Sequence, residues 1–256
     1  MSALHRFSRT ELLIGQAGLD KLKQSHVAIF GLGGVGSYAA EALCRSGIGR
    51  ITIVDFDDIC LTNLNRQLHA MSNTVGMAKA DVMAERMRLI NPEAEIISHR
   101  QFYDADNSIH LMAERYDYVL DAIDHITAKL HLLAICRERE IPVIASMGAA
   151  AKLDPTRIKV ADISETHTCG MARSVRKLLR QRGISSGIKT VFSTEEHNPA
   201  AEAVANCQDN CICPNKDEQR FSCVHRRVIL GSSAHIPGIF GLTMAGEVVR
   251  DLLKIG

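Results

Sequence analysis

The feature that most constrains this chain is Gly31-Leu32-Gly33-Gly34-Val35-Gly36, set directly behind Val27-Ala28-Ile29-Phe30. The apolar run fits a strand buried on both faces of a parallel sheet. Ser37 to Arg45 then reads as a helix. Glycines at a strand-to-helix turn allow a tight bend and let backbone N–H groups approach phosphate oxygens. The helix N-terminus adds favourable partial charge there. The next strand, Arg50 to Asp55, ends on a carboxylate able to accept ribose hydroxyls. A purely structural glycine turn is the alternative, and the placed acid weighs against it.

The same alternation continues downstream. A leading helix is expected over residues 10–24 and an amphipathic helix over 76–90, closed by Asn91-Pro92. Strands are expected at 95–98, 116–122 and 142–146, with a helix over 127–139. Strands and helices alternating at this spacing predict an α/β, Rossmann-like, mostly parallel sheet with helices on both faces. After residue 150 the pattern weakens into a C-terminal elaboration. Strands are expected at 157–163 and 188–194 around a basic helix at 171–182, and a closing helix over 237–255. Residues 198–230 read as an irregular Cys-rich segment. No linker composition divides the chain, and 256 residues suit a single domain.

A glycine loop alone favours a nicotinamide or flavin enzyme. Two cations shift the balance, because Arg66 and Lys79 lie close in sequence to the loop and suit a triphosphate. Taken singly, either reads equally as a solvated surface charge. With Asp55-Phe56-Asp57-Asp58, Asn63-Leu64-Asn65-Arg66-Gln67, Gly76 to Lys79 and Asp121-Ala122-Ile123-Asp124, the order of motifs resembles the adenylating enzymes related to ubiquitin activation. That superfamily includes the ThiF- and MoeB-like enzymes that adenylate thiamine and molybdopterin sulfur carriers. The resemblance implies ATP held by Gly31, Gly33, Gly34 and Gly36, ribose on Asp55, and phosphates facing Asn65, Arg66 and Lys79. It further implies Mg2+ on Asp124, and Arg9 reaching ATP across a homodimer interface.

The chain is more closely similar to the tRNA threonylcarbamoyladenosine dehydratases. Residues 65–70, 146–150, 154–157, 161–167 and the ending 232–253 carry this likeness. It implies that ATP activates the carboxylate of threonylcarbamoyladenosine in tRNA, after which the side chain closes a ring with net loss of water. The alternative is an adenylyltransferase acting on the C-terminus of a ubiquitin-like sulfur carrier, with a sulfur-relay protein as partner. Those enzymes often hold zinc with Cys-x-x-Cys pairs, and this chain has none. A non-catalytic nucleotide-dependent scaffold is a third reading, and the intact Arg66, Lys79 and Asp124 argue against it.

The formal net charge of +1 does not mark a nucleic-acid binder by itself. Charge is clustered locally instead. No Asp or Glu falls between Thr166 and Ser193, while Arg173, Arg176, Lys177 and Arg180 share one predicted helix. Such a helix can track tRNA phosphates or can be a solvated face. His167 and Cys169 lie beside it. The proposed chemistry requires neither, although Cys169 could form a thioester.

Eight cysteines do not argue for disulfides in a chain expected in the cytoplasm. The first residues are too polar for a secretory signal, and no apolar run suggests a membrane partner. Cys207, Cys211, Cys213 and Cys223 are spaced C-x3-C-x-C-x9-C. They could hold Zn2+ or an iron–sulfur cluster, or stand as reduced thiols.

Overall fold

The computed structural model describes residues 4–196 and 230–255. Seven strands form one sheet: β1 (His26–Phe30), β2 (Arg50–Val54), β3 (Glu95–His99), β4 (Tyr118–Asp121), β5 (Val143–Ser146), β6 (Ile158–Asp162) and β7 (Lys189–Ser193). Their order is β3-β2-β1-β4-β5-β7-β6. Among the described strands only β6 runs antiparallel, pairing with β7 from Ile158 opposite Ser193 to Asp162 opposite Lys189. The helices are α1 (Ser8–Gln24), α2 (Gly36–Ser46), α3 (Lys79–Ile90), α4 (Ser108–Leu111), α5 (Ile126–Glu138), α6 (Gly170–Arg180) and α7 (His235–Leu253).

Alternate strand residues face opposite sides of the sheet, so each apolar strand feeds two cores. Val27, Ile29, Ile51, Ile53, Leu120 and Ile144 pack on one side with buried residues of α2, α3 and α7. Ala28, Phe30, Val54, Val119 and Ala145 pack on the other with α5 and α6. Every residue of β1 is buried, which is why Val27 to Phe30 reads as a continuous apolar run. The α7 stripe Ile236, Phe240, Met244, Val248 and Leu252 recurs every fourth residue and is buried throughout. Burying each such side chain contributes about 1.5–3 kcal/mol.

Most element boundaries fall within a residue or two of the sequence expectation. The exception is α3, which starts at Lys79 rather than 76. Ala78 first forms a bridge to Asp58, and the Lys79 amide donates to the Asp57 carbonyl at 3.0 Å. The helix therefore begins with its lysine already fixed beside the end of β2. The expected strand at 116–122 is also shorter, because Tyr116 and Asp117 precede the first ladder pair, Val27 with Tyr118.

The chain winds outward from β1 through β2 to β3, then returns to place β4 on the other side of β1. Such a reversal opens a crevice beyond the C-terminal ends of the two central strands. The glycine loop, Asp55 and the Asp121–Asp124 segment all leave the sheet at that end.

Candidate active site

The glycines of the loop divide into structural and open positions. Gly31 has φ +90°, and a Cβ there would lie 2.7 Å from the Ala122 carbonyl oxygen. A side chain would be both strained and obstructed. A Cβ on Gly36 would overlap the Gly31 carbonyl, and one on Gly34 would lie 2.9 Å from Pro237 Cβ and 3.3 Å from Arg66 Cγ. Gly33 differs, since nothing lies within 4 Å of its Cβ position. The loop is thus packed below and open at Gly33, beside the N-terminus of α2. That is the arrangement by which backbone N–H groups cradle phosphate.

Asp55 is buried at the end of β2. Its Oδ2 accepts from the Leu32 amide at 2.6 Å, and its Oδ1 accepts from the Asp57 amide at 2.9 Å. Burial raises its pKa, and neighbouring Asp57 adds to this; Lys79 and the two amides oppose the rise. The expected ribose ligand therefore also braces the glycine loop. A carboxylate offers about four acceptor positions, so acceptor capacity for hydroxyls remains.

The two expected phosphate cations differ in setting. Lys79 is buried and its Nζ lies 2.7 Å from Asp57 Oδ2. Arg66 is half-buried, donating through Nη1 to the Thr62 carbonyl at 2.9 Å and to Asn65 Oδ1 at 2.8 Å. Asn65, expected to face phosphate, donates its Nδ2 to the Ser232 carbonyl at 2.9 Å. This bond and the Gly34–Pro237 approach bring the segment leading into α7 against the glycine loop. Asp124 is exposed, just beyond β4. Phe56, Phe102 and His125 form a row of edge-on rings with centroids 5.0 and 5.5 Å apart. Phe56 follows Asp55 in the chain and His125 follows Asp124, so the row links the two segments.

Arg9 is exposed in the first turn of α1. Phe7 packs toward Gly47, which closes α2 at the end remote from the glycine loop, and Arg6 donates to the carbonyl of Ile90, the last residue of α3. α2 is 11 residues long, or roughly 16 Å at the helical rise per residue.

The basic helix exists as α6, but its cations are not equivalent. Arg173, Lys177 and Arg180 are exposed. Arg176 is half-buried and donates through Nη1 to both the carbonyl and the hydroxyl of Thr166, tying α6 to the preceding turn. Cys169 is buried at the start of α6, with its Sγ 3.6 Å from the Cβ position of Gly148. His167 is exposed and packs edge-on against Phe192 at 5.6 Å. Cys207, Cys211, Cys213 and Cys223 lie outside the described residues.

One buried feature was not anticipated from the sequence. Lys129 on α5 and Asp121 at the end of β4 are both fully buried, 2.6 Å apart. The available signal was a lysine in the buried face of α5, among Ala128, Leu130, Leu132 and Leu133. His69 is likewise fully buried, and among the described residues neither ring nitrogen has a hydrogen-bond partner.

The chain matches the ThiF family over residues 7–256. It belongs to the ThiF family. It is 48% identical over 251 residues to the tRNA threonylcarbamoyladenosine dehydratase of Bacillus subtilis, covering 98% of this chain and 96% of the relative. The Escherichia coli protein of the same name is 37% identical over 259 residues, covering 97% and 93%. The crystal structure of the Escherichia coli dehydratase in complex with ATP superposes with a TM-score of 0.83 at 35% identity, covering 97% of this chain and 94% of the other. As in other open α/β sheets, the crevice of this ThiF-family chain lies at the switch point, where its glycine loop, acids and cations converge.

Proposed function

We propose that this chain is an ATP-dependent tRNA threonylcarbamoyladenosine dehydratase acting by carboxylate adenylation. One observation carries the reading: near-full-length identity of 48% to a protein of that name, joined to a glycine loop open at Gly33 with acids and cations at the same crevice. A substrate carboxylate oxygen attacks the α-phosphorus, and pyrophosphate leaves. The carbamoyl group of the same side chain then attacks the activated carbonyl carbon. AMP leaves, and the ring closes with net loss of water. Proximity favours that closure, since both reacting groups belong to one side chain.

In this reading the loop amides around Gly33 hold phosphate, and Asp55 takes the ribose while bracing Leu32. Lys79 exchanges part of its contact with Asp57 for phosphate oxygens, and Arg66 stabilises charge on the displaced group. Asp124 would supply a hard oxygen ligand for Mg2+. An ion held by one or two carboxylates and the nucleotide phosphates requires no protein cage. Among the described residues no three His, Cys, Asp or Glu side chains converge on one. When bound, the ion neutralises phosphate charge.

Arg9 is proposed to serve the partner's site in a homodimer, in keeping with the packing of nearby Phe7 at the far end of α2. The exposed α6 cations are proposed to face tRNA. The four late cysteines are proposed as ligands for zinc or an iron–sulfur cluster. Among the described residues no helix is long and apolar enough to cross a membrane. A cytoplasmic setting is proposed from the substrate class.

The sulfur-carrier reading is not favoured, because the near-full-length relatives bear the dehydratase name. The deciding experiment is mass spectrometry of tRNA nucleosides after incubation with protein, ATP and Mg2+. Cyclised nucleoside with equimolar AMP is expected. Unchanged tRNA beside an adenylated sulfur carrier would replace this reading with the alternative.

A further inference from the structure

Lys129 has no route to the crevice as a contact residue, since its side chain is fully buried. Its ammonium donates to Asp121 Oδ2 at 2.6 Å and to the Ser146 carbonyl at 3.0 Å. Asp121 is the last residue of β4, and Ser146 is the last residue of β5. One cation thus joins the ends of the two strands on the far side of the switch point. The other carboxylate oxygen, Asp121 Oδ1, accepts from the Ile123 amide at 3.0 Å. That bond bends the chain out of the strand immediately before Asp124. The bend is also seated on the glycine loop. The Ala122 amide donates to the Phe30 carbonyl at 2.8 Å, and the Ala122 carbonyl occupies the space a Gly31 side chain would need.

These contacts form a continuous chain from β5 through Lys129 and Asp121 to the turn, and from the turn to Gly31. Stability alone does not explain an ion pair at this point. A buried pair rarely outperforms apolar side chains of similar size, because both charges lose their hydration. The core on that face of the sheet is built of apolar side chains from α5 and β4, among them Leu130, Leu132, Leu133 and Val119. What the pair supplies, and an apolar pair cannot, is direction: fixed bonds to the Ile123 amide and the Ser146 carbonyl.

We infer that Lys129 and Asp121 are positioning residues for adenylation, clamping the ends of β4 and β5 so that the Asp124 turn is held against the glycine loop. The inference rests on the proposed role of Asp124 in nucleotide chemistry. It assigns the clamp no contact with substrate.

The test uses the full-length protein carrying Asp121→Asn with Lys129→Met. Asparagine keeps an acceptor for the Ile123 amide, and methionine fills the lysine stem while removing the tie to Ser146. The melting temperature should stay within about 5 °C of wild type, and ATP affinity within about threefold. Single-turnover cyclisation should fall roughly tenfold to a hundredfold, the scale of a small misplacement at a reacting centre. The Mg2+ midpoint should rise. Amide exchange over 121–125 and 146–148 should accelerate, while β1 and β2 stay protected. Asp121→Asn with Lys129→Gln likewise leaves no buried charge, keeps a weaker donor toward Ser146, and serves if the first variant does not fold. It should show the same exchange signature with a smaller rate loss. A folded variant with wild-type rate, Mg2+ midpoint and exchange would overturn the clamp. Failure of the dehydratase reading would look different: wild-type protein would make no AMP with modified tRNA, and the exchange measurement would still report on the clamp.

Discussion

Two buried lysines stand on opposite sides of the switch point, and they are held differently. Lys79 heads α3 beside β2, paired with an Asp57 whose side chain keeps 24% of its surface exposed. Lys129 lies beneath β4 and β5, paired with an Asp121 that has none. An ion pair open to solvent can trade its carboxylate for a phosphate, because water or ligand can replace each partner as the other moves. A sealed pair cannot, since breaking it would strand a charge in a low-dielectric interior. In the proposed mechanism the same two residue types would serve exchange on one side and geometry on the other. What separates them is the accessibility of the partner acid.

The largest effect is expected at the exchanging lysine. Lys79→Met should lower single-turnover AMP formation by about 10²–10³-fold, the scale of losing one preorganised electrostatic contact. Asp57 can be solvated once unpaired, so the fold should persist. A rate within threefold of wild type would make Lys79 as structural as Lys129 and erase the contrast.

Next in size is Asp124→Ala, which removes the carboxylate that the clamp is inferred to aim. Activity should fall by at least about tenfold, with a loss of Mg2+ dependence and little change in melting temperature. Retained turnover would remove Asp124 from the site and leave the clamp with nothing to position.

The third test probes how dry the Lys79 side is. His69, in the buried turn near Lys79, is pushed down to about 3 by burial, with Lys79 and Arg86 adding to the shift. Its folded pKa lies below the ordinary 6.5. Stability from this group is thus fully present above pH 6.5 and is lost as pH falls toward 3. By pH 5 the loss should be about 2 kcal/mol. His26 and His131 are also lowered by burial and contribute with the same sign. Urea midpoints at pH 7 and 5 should therefore differ, and His69→Gln should narrow the gap without closing it. A gap of unchanged width would mean that His69 is protonated in the folded protein.

The smallest effects concern the exposed face of α6. Reversing Arg173, Lys177 and Arg180 to Glu should weaken tRNA binding and flatten its dependence on salt, leaving ATP affinity unchanged. Arg176→Glu should instead destabilise the fold, since its guanidinium holds Thr166. Equal behaviour of all four would show that α6 is a uniformly solvated helix.

How much of this was legible in the sequence follows from the range of each interaction. Strands such as β1 and β2 announce themselves through short apolar runs, and the glycine loop through local spacing. The antiparallel direction of β6 depends on pairing with a strand about thirty residues later, which no local pattern encodes. The candidate site could be read as residue types but not as partners. Arg66 and Lys79 could be named, yet the Asp57 pairing, the Asn65–Ser232 bond and the division of labour within α6 required three dimensions. Lys129 was hidden for a different reason: a single charge on an apolar helix face looks like an exception to the pattern until its acid is located on another strand.

Adenylation of the substrate's own carboxylate can be followed by placing oxygen-18 in the carboxylate of threonylcarbamoyladenosine in tRNA and watching a single turnover. One labelled oxygen should appear in AMP, because that oxygen becomes the bridge to phosphorus, and Cys169→Ser should still complete cyclisation. AMP free of label beside cyclised nucleoside would contradict carboxylate adenylation.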